Sequence, residues 1–245
     1  MMMDYNINIV HLYPDLLNLY GDKGNIECLR KRLAWRNIEV NVTEISDENP
    51  HIDFEKADII FLGGGSDREQ KLVCEKLLEY KTQLKNFVEK GGTLVALCGG
   101  FEMIGKSFGK KDEKTEGLSI LDFDTEYPSD GSRLIGNVIM ECEGIDGYVV
   151  GFENHNGRIY TDKYKALGKL IKGHGSNGVN KNEGLVYKNL FASYLHGPLF
   201  PKNPKLCDLI LTKTLKNKYS NFDKLYPLDD TLEEKANNYI ADILL

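Results

Sequence analysis

Short apolar runs alternate with longer amphipathic stretches through the first half of the chain. The apolar or β-branched runs predict strands, which are residues 7–12, 38–45, 57–62 and 93–97; of these, 38–45 alternates and 57–62 is of the buried type. Apolar residues at helical spacing predict helices between them, which are residues 25–36, 68–89 and about 101–108. Strands that alternate with helices in this way are typical of an α/β fold with a doubly wound, largely parallel sheet flanked by helices.

The second half of the chain is richer in short strands. Its pattern predicts strands at residues 118–123, 134–142, 148–152, 185–187 and 191–194. It also predicts helices at 204–216, with Pro204 in the first turn, and at 231–244, with Asp230 as N-cap. No repeat, low-complexity tract or Pro/Ser-rich linker divides the sequence. We therefore expect one domain over residues 1–245, with a mixed sheet in a core of about 5–216 and a C-terminal helical tail of about 217–245.

Composition narrows the class of protein. A hydrophobic content of 41% is that of a globular chain, and a net charge of −6 argues against a bulk nucleic-acid surface. Five cysteines without a C-x-x-C pair fit a reduced, cytoplasmic protein better than a disulfide framework or a zinc site. The N-terminal residues lack the pattern of a signal peptide, and no apolar run is long enough for membrane insertion.

Cys98 is the strongest candidate for chemistry. It ends the predicted strand 93–97 and is followed by Gly99 and Gly100, which predicts a thiol on a sharp strand-to-helix turn like the nucleophile elbow of hydrolases. The helix N-terminus just beyond favours a thiolate and, later, an oxyanion. The alternative is a buried structural cysteine, which is common because a free cysteine packs as a small hydrophobic residue.

Three further features supply the other parts of a nucleophilic site. His196 follows a predicted strand and is a candidate base for the thiol, although four other histidines compete for that role. Backbone N–H groups of Gly64 and Gly65, with that of Gly99, are candidate oxyanion-hole donors, but a plain turn would also explain the glycines. Arg133 opens a predicted strand and could hold a carboxylate, or it could be a solvated surface residue.

Taken together, these motifs resemble a class I glutamine amidotransferase of the cobyric-acid-synthase-like branch, and more closely the glutaminase subunits of lipid II isoglutaminyl synthase, the GatD family. The resemblance rests on the Cys98-Gly99-Gly100 elbow, the upstream glycine turn and the late Tyr194-Leu195-His196-Gly197. The matching stretches are residues 18–20, 24–26, 62–70, 151–158, 187–190 and 194–203. They cover most of the chain from Leu12 to about Cys207.

This resemblance implies roles for single residues. It makes Cys98 the nucleophile, His196 its base and Arg133 the residue that grips glutamine. The broader class carries a glutamate two residues after the histidine to orient it, whereas this chain has Pro198. The cobyric-acid-synthase-like branch shares that absence, so the orienting group stays open, with Glu153 or an Asp brought close by the fold as candidates.

The resemblance also implies a partner. Ammonia released from L-glutamine would pass to a Mur-ligase-like, ATP-dependent subunit of the MurT type, which amidates the D-glutamate of the lipid II stem peptide in a cytoplasmic heterodimer. The sequence has no G-x-x-x-x-G-K-[ST] motif, so the ligase chemistry would reside in that partner. No metal or cofactor is expected. Three alternatives stay open: another acceptor such as a cobyrinate-type amidation, a stand-alone γ-glutamyl cysteine hydrolase, and a non-enzymatic subunit with the same fold.

Overall fold

A computed structural model describes residues 5–245. Its strands are β1 (Asn6–Leu12), β2 (Glu39–Ile45), β3 (Ile59–Leu62), β4 (Thr93–Leu97), β5 (Ser107–Lys110), β6 (Glu113–Glu116), β7 (Asp124–Glu126), β8 (Leu134–Cys142), β9 (Val149–His155), β10 (Arg158–Ile159), β11 (Gly168–Lys172), β12 (Asn182–Glu183), β13 (Leu185–Tyr187) and β14 (Leu190–Ser193). Its helices are α1 (Lys23–Ala34), α2 (Asp67–Leu77), α3 (Lys81–Glu89), α4 (Gly99–Met103), α5 (Leu199–Lys202), α6 (Pro204–Lys218) and α7 (Thr231–Leu244).

A six-stranded sheet forms the centre of the fold, in the order β13-β14-β4-β3-β1-β2. All neighbours in it are parallel except the antiparallel pair β13–β14. Every residue of β3 and β4 is buried, because apolar clusters cover both faces of the sheet. The prediction of a mixed, largely parallel sheet flanked by helices is thereby confirmed.

Two smaller four-stranded sheets, β10-β7-β5-β6 and β12-β11-β8-β9, take up most of the second-half strands. The strand predicted at residues 118–123 is wrong, because this stretch forms irregular structure between β6 and β7. Its apolar side chains are buried nonetheless, and Phe123 lies edge-on against Phe101 at a centroid distance of 5.7 Å. A short apolar run therefore signals burial here, but not strand pairing.

Two predicted helices have other bounds. The helix expected at 68–89 is interrupted by a 3-10 turn at Leu78–Tyr80, and its first part begins in a capping box between Ser66 and Glu69. The helix expected at about 101–108 comprises only Gly99–Met103, because Ser107 already begins β5. The short α4 keeps the strand-to-helix turn that the sequence predicts.

The C-terminal tail is tied to the body by a buried ionic cluster. The guanidinium of Arg32 on α1 binds Asp208 at 2.7 Å and Asp230 at 2.6 Å, and its side chain is only 3% exposed. Arg36 binds Asp208 as well and donates to the carbonyl of Tyr226 at 2.6 Å. Asp230 precedes α7 as expected, but its carboxylate makes no capping bond because Arg32 engages it.

Candidate functional site

Cys98 occupies a sharp turn between β4 and α4. Its backbone has φ 51° and ψ −111°, a left-handed conformation that is unusual for a residue with a side chain. Its N–H donates to the carbonyl of Ser193 at 2.8 Å, which fastens the turn to β14. A Cβ on Gly100 would lie 2.2 Å from the carbonyl oxygen of Leu62, so only glycine fits there. The predicted elbow is therefore present.

His196 leaves the sheet beside Cys98. The register of β14 and β4 pairs Ser193 with Leu97, so the two residues follow the carboxyl ends of adjacent parallel strands. The backbone N–H of His196 donates to the carbonyl of Phe152 on β9 at 2.8 Å. This bond fixes the backbone from which the imidazole projects. The side chain is buried, with His196 only 1% exposed. Ligand sites lie at this edge of open α/β sheets.

The resting protonation states of this pair follow from burial. Burial raises the pKa of the Cys98 thiol well above its usual range, and the nearby carboxylates of Glu102 and Asp22 add to the effect. Burial also lowers the pKa of His196 to about 3, helped by His155 and Arg133. Burial thus works against the thiolate that the helix N-terminus was expected to favour. Burial favours the neutral form of both the thiol and the imidazole.

No side chain of the described residues orients the imidazole. Both ring nitrogens of His196 are buried without a hydrogen-bond partner in residues 5–245. Glu153, a candidate for this role, instead accepts from the backbone N–H groups of His174 at 2.7 Å and Gly175 at 2.8 Å. Glu153, one of the candidates left open for the orienting group, therefore makes no hydrogen bond to His196, because its carboxylate holds the turn after β11.

The glycine turn after β3 packs directly against the elbow. A Cβ on Gly64 would lie 2.8 Å from Cβ of Cys98 and 3.4 Å from N of Gly99. The N–H of Gly64 donates to Oδ2 of Asp22 at 2.9 Å, while the N–H of Gly99 bonds the sulfur and favours its charged form. Gly65 continues the buried turn. Gly64 and Gly99 thus lie against Cys98, and the N–H of Gly64 already has an acceptor.

Asp22 and Glu102 are two buried carboxyls that sequence reasoning did not single out. Asp22 accepts from Gly64 and from Asn25, and burial raises its pKa to about 6. Glu102 lies one helical turn beyond Cys98, and burial raises its pKa as well. Its partners are Gln70 at 2.7 Å, Tyr127 at 2.5 Å and Tyr194 at 3.1 Å. The only signal in the sequence was the position of Glu102 in the first turn of the elbow helix.

Arg133 reaches the same site from the residue before β8. Its Nε donates to Oδ1 of Asn154 at 2.7 Å, and its Nη2 donates to the carbonyl of Asn154 at 2.9 Å. Its positive charge acts to lower the pKa values of both Cys98 and His196, and Asn154 and Tyr20 connect it to the His196 ring. The fold therefore brings together Cys98, His196, Arg133 and the glycine turn, which are far apart in the sequence.

A parallel α/β sheet with a cysteine elbow and a histidine on the adjacent strand end defines a class of hydrolytic and amide-transferring proteins. A profile of the CobB/CobQ-like glutamine amidotransferase domain matches residues 8–204. The chain belongs to this family of glutamine amidotransferases.

Two relatives are similar along nearly the whole chain. The lipid II isoglutaminyl synthase (glutamine-hydrolyzing) subunit GatD of Staphylococcus aureus (strain N315) is 44% identical over 97% of this chain and 96% of its own length. The subunit of the same name from Streptococcus pneumoniae (strain ATCC BAA-255 / R6) is 35% identical over 98% of this chain and 92% of its own length. Both include the tail beyond residue 204, where the family profile ends.

The fold has a counterpart among solved structures. A crystal structure titled glutamine amidotransferase superposes with a TM-score of 0.57, and it covers 84% of this chain and 98% of its own. Its sequence identity is 18%, so the likeness concerns the fold alone.

Within residues 5–245, no helix is both long and apolar enough to cross a membrane, and no cluster of three or more His, Cys, Asp or Glu is placed to hold a metal ion.

Proposed function

We propose that the chain is the glutaminase subunit of a lipid II amidating enzyme. It hydrolyses L-glutamine at Cys98 and supplies the ammonia to a Mur-ligase-like, ATP-dependent subunit of the MurT type, which amidates D-glutamate in the lipid II stem peptide. The observation that carries the proposal is the Cys98 elbow beside His196, in a chain that is 44% identical over 97% of its length to a GatD subunit.

The reaction begins with a proton transfer. Since the resting thiol and imidazole are both neutral, His196 accepts the thiol proton as the sulfur attacks the side-chain amide carbon of glutamine. The unpartnered nitrogens of His196 leave a lone pair available for that proton. Backbone N–H groups of Gly99 and Gly65 stabilise the tetrahedral oxyanion, and that of Gly64 joins them if it leaves Asp22.

The second half of the reaction releases the products. The imidazolium of His196 returns its proton to the leaving nitrogen, and ammonia departs from a glutamyl thioester on Cys98. A water molecule, deprotonated by the same imidazole, then adds to the thioester carbonyl. Collapse of this second intermediate frees glutamate and restores the thiol. Each oxyanion donor in such a site contributes about 3–4 kcal/mol to transition-state stabilisation.

The partner follows from what this chain lacks for the full reaction. Forming an amide from a carboxylate and ammonia needs activation of the carboxylate, and the sequence has no P-loop motif for ATP. The relatives are named as subunits, which supports a heterodimer with an ATP-dependent ligase. We place this heterodimer in the cytoplasm, at the membrane face that carries the lipid-linked substrate.

Arg133→Ala should raise KM for glutamine roughly ten- to hundredfold, because a charge-assisted hydrogen bond to the α-carboxylate contributes about 1.5–3 kcal/mol. Arg158→Ala is the matched control, since within residues 5–245 this neighbouring guanidinium bonds backbone carbonyls, which are those of Asn156, Gly157 and Ser132. Steady-state glutamate release measures both variants. Equal KM values for the two variants would assign carboxylate binding to another residue.

Co-expression with the ligase-like subunit tests the whole proposal. The two chains should co-elute in size-exclusion chromatography, and the pair should convert lipid II to its amidated form, with a mass decrease of about one dalton, only when glutamine and ATP are present. The isolated chain should release glutamate without amidating lipid II. Ammonia transfer to a cobyrinate-type acceptor, or glutamate release from γ-glutamyl peptides without any partner, would replace lipid II amidation as the function.

A further inference from the structure

Tyr20 covers the candidate base. Its ring lies 4.1 Å from the His196 ring between centroids, at an interplanar angle of 39°. Tyr20 is itself half-buried, whereas His196 is almost completely buried. The tyrosine ring thus forms part of the wall that hides the imidazole.

One amide side chain connects Tyr20 to the carboxylate-binding arginine. The Nδ2 of Asn154 donates to the Tyr20 hydroxyl at 2.7 Å, and its Oδ1 accepts from Nε of Arg133 at 2.7 Å. The carbonyl of Asn154 takes a second N–H of the same guanidinium at 2.9 Å. Asn154 therefore occupies Nε and Nη2, one of the pairs of donors with which an arginine holds a carboxylate.

The segment that carries Tyr20 is a short turn fixed at both ends. The N–H of Leu19 donates to the carbonyl of Gly64 at 3.1 Å, and the carboxylate of Asp22 accepts from the N–H of the same glycine at 2.9 Å. Between them, Gly21 has φ +79°, a conformation that glycine adopts without strain. Tyr20 therefore lies between two fixed points, next to the residue best able to absorb a backbone rotation.

We propose that Tyr20 and Asn154 form a latch that glutamine itself opens. The α-carboxylate displaces the Asn154 oxygens from Arg133, the Asn154 amide moves away from the Tyr20 hydroxyl, and Tyr20 swings off His196. The inference rests on the proposed function in one respect, which is that Arg133 binds the carboxylate of glutamine.

The exchange at Arg133 favours opening for an energetic reason. A carboxylate bonds a guanidinium more strongly than an amide and a peptide carbonyl do, because both partners are charged. Closing the latch in turn lowers the apparent affinity for glutamine, since only the open fraction of the protein binds it. Variants without the latch should therefore bind glutamine more tightly. If Tyr20 and Asn154 only supported the fold, their replacement would not increase the affinity for glutamine.

Tyr20→Phe and Asn154→Ala provide the kinetic test. Tyr20→Phe removes the hydroxyl that Asn154 holds, and Asn154→Ala removes both side-chain bonds. Each should lower KM for glutamine roughly two- to tenfold, the worth of one neutral hydrogen bond. Tyr160→Phe, at an exposed tyrosine outside the site, should leave KM unchanged. A KM that is unchanged or raised in both latch variants, with thermal unfolding like that of wild type, would overturn the latch.

A spectroscopic test follows Tyr20 directly. With 3-fluorotyrosine at position 20 in a Cys98→Ser background, the ¹⁹F signal should move on addition of glutamine, toward the position that Asn154→Ala shows without glutamine. Calorimetry on the same samples measures whether glutamine binds. Binding without movement of the ¹⁹F signal would overturn the latch and leave the proposed function standing. Absence of binding would overturn both, and the calorimeter distinguishes the two failures.

Discussion

Cys98→Ser should lower glutamine hydrolysis by at least about three orders of magnitude, because removal of the nucleophile from such a site removes most of its rate enhancement. A serine hydroxyl fits the elbow but is a poorer nucleophile beside a neutral histidine. Glutamate release measures the loss. With the ligase-like partner and lipid II present, added ammonium salt should restore amidation, because only the ammonia supply is missing. Wild-type hydrolysis in this variant would remove Cys98 from the mechanism.

Cys74→Ser is the matched control for that experiment. Cys74 is a buried cysteine on α2, its thiol lies 3.3 Å from the carbonyl of Glu116, and burial raises its pKa to about 12. It has the environment of a structural cysteine, so its replacement should leave hydrolysis close to that of wild type. A loss of activity as large as that of Cys98→Ser would mean that both losses report on folding.

Arg32→Ala should have the second largest effect, a loss of about 3–5 kcal/mol of unfolding free energy. The change leaves Asp208 and Asp230 without the guanidinium that joins them, at side-chain exposures of only 24% and 18%. Like-charged carboxylates that are partly buried repel each other, and the tail loses its ion pair with α1. Urea unfolding, followed by circular dichroism with a common m-value, measures the shift of the midpoint.

Arg30→Ala controls for the loss of an arginine from the same helix. Arg30 pairs with Glu27 one turn away, and both side chains are exposed, at 41% and 53%. Exposed pairs of this kind contribute little to stability, so its unfolding midpoint should stay near that of wild type. If Arg32→Ala and Arg30→Ala unfolded at the same urea concentration, the ionic cluster would not hold the tail.

The central sheet was readable from the sequence because β3 and β4 are short runs that are apolar on both faces, while the edge strand β2 alternates apolar and polar residues. The elbow was readable for the same reason, since Gly99 and Gly100 mark a tight turn after an apolar strand. Residues 118–123 carry a similar run, yet they pack without pairing. An apolar run indicates that a segment is buried. Whether the segment also pairs as a strand depends on which other parts of the chain lie beside it.

Local sequence patterns predict some residues of the candidate site and miss others. Cys98 and the glycine turn lie at predicted strand ends, so local patterns were enough to find them. Tyr20, Asn154 and Asp22 matter through contacts with Asn154, Arg133, His196 and Gly64 that join residues at least 21 positions apart, and no local pattern carries such contacts. Glu153 was a wrong candidate for the orienting group. No local pattern indicated that its carboxylate would accept hydrogen bonds from backbone N–H groups in the turn after β11.

The position of β14 between β13 and β4 has a consequence for synthesis of the protein on the ribosome. Until β14 emerges from the ribosome, β4 is the outer strand of the nascent sheet. All five residues of β4 are buried in the complete fold. Residues 98–189 separate the two strands, so the nascent chain carries this open edge for roughly 5–20 s at ordinary translation rates. During that time it holds the thiol of Cys98 without the imidazole of His196. A chain released early thus keeps a cysteine that has no base.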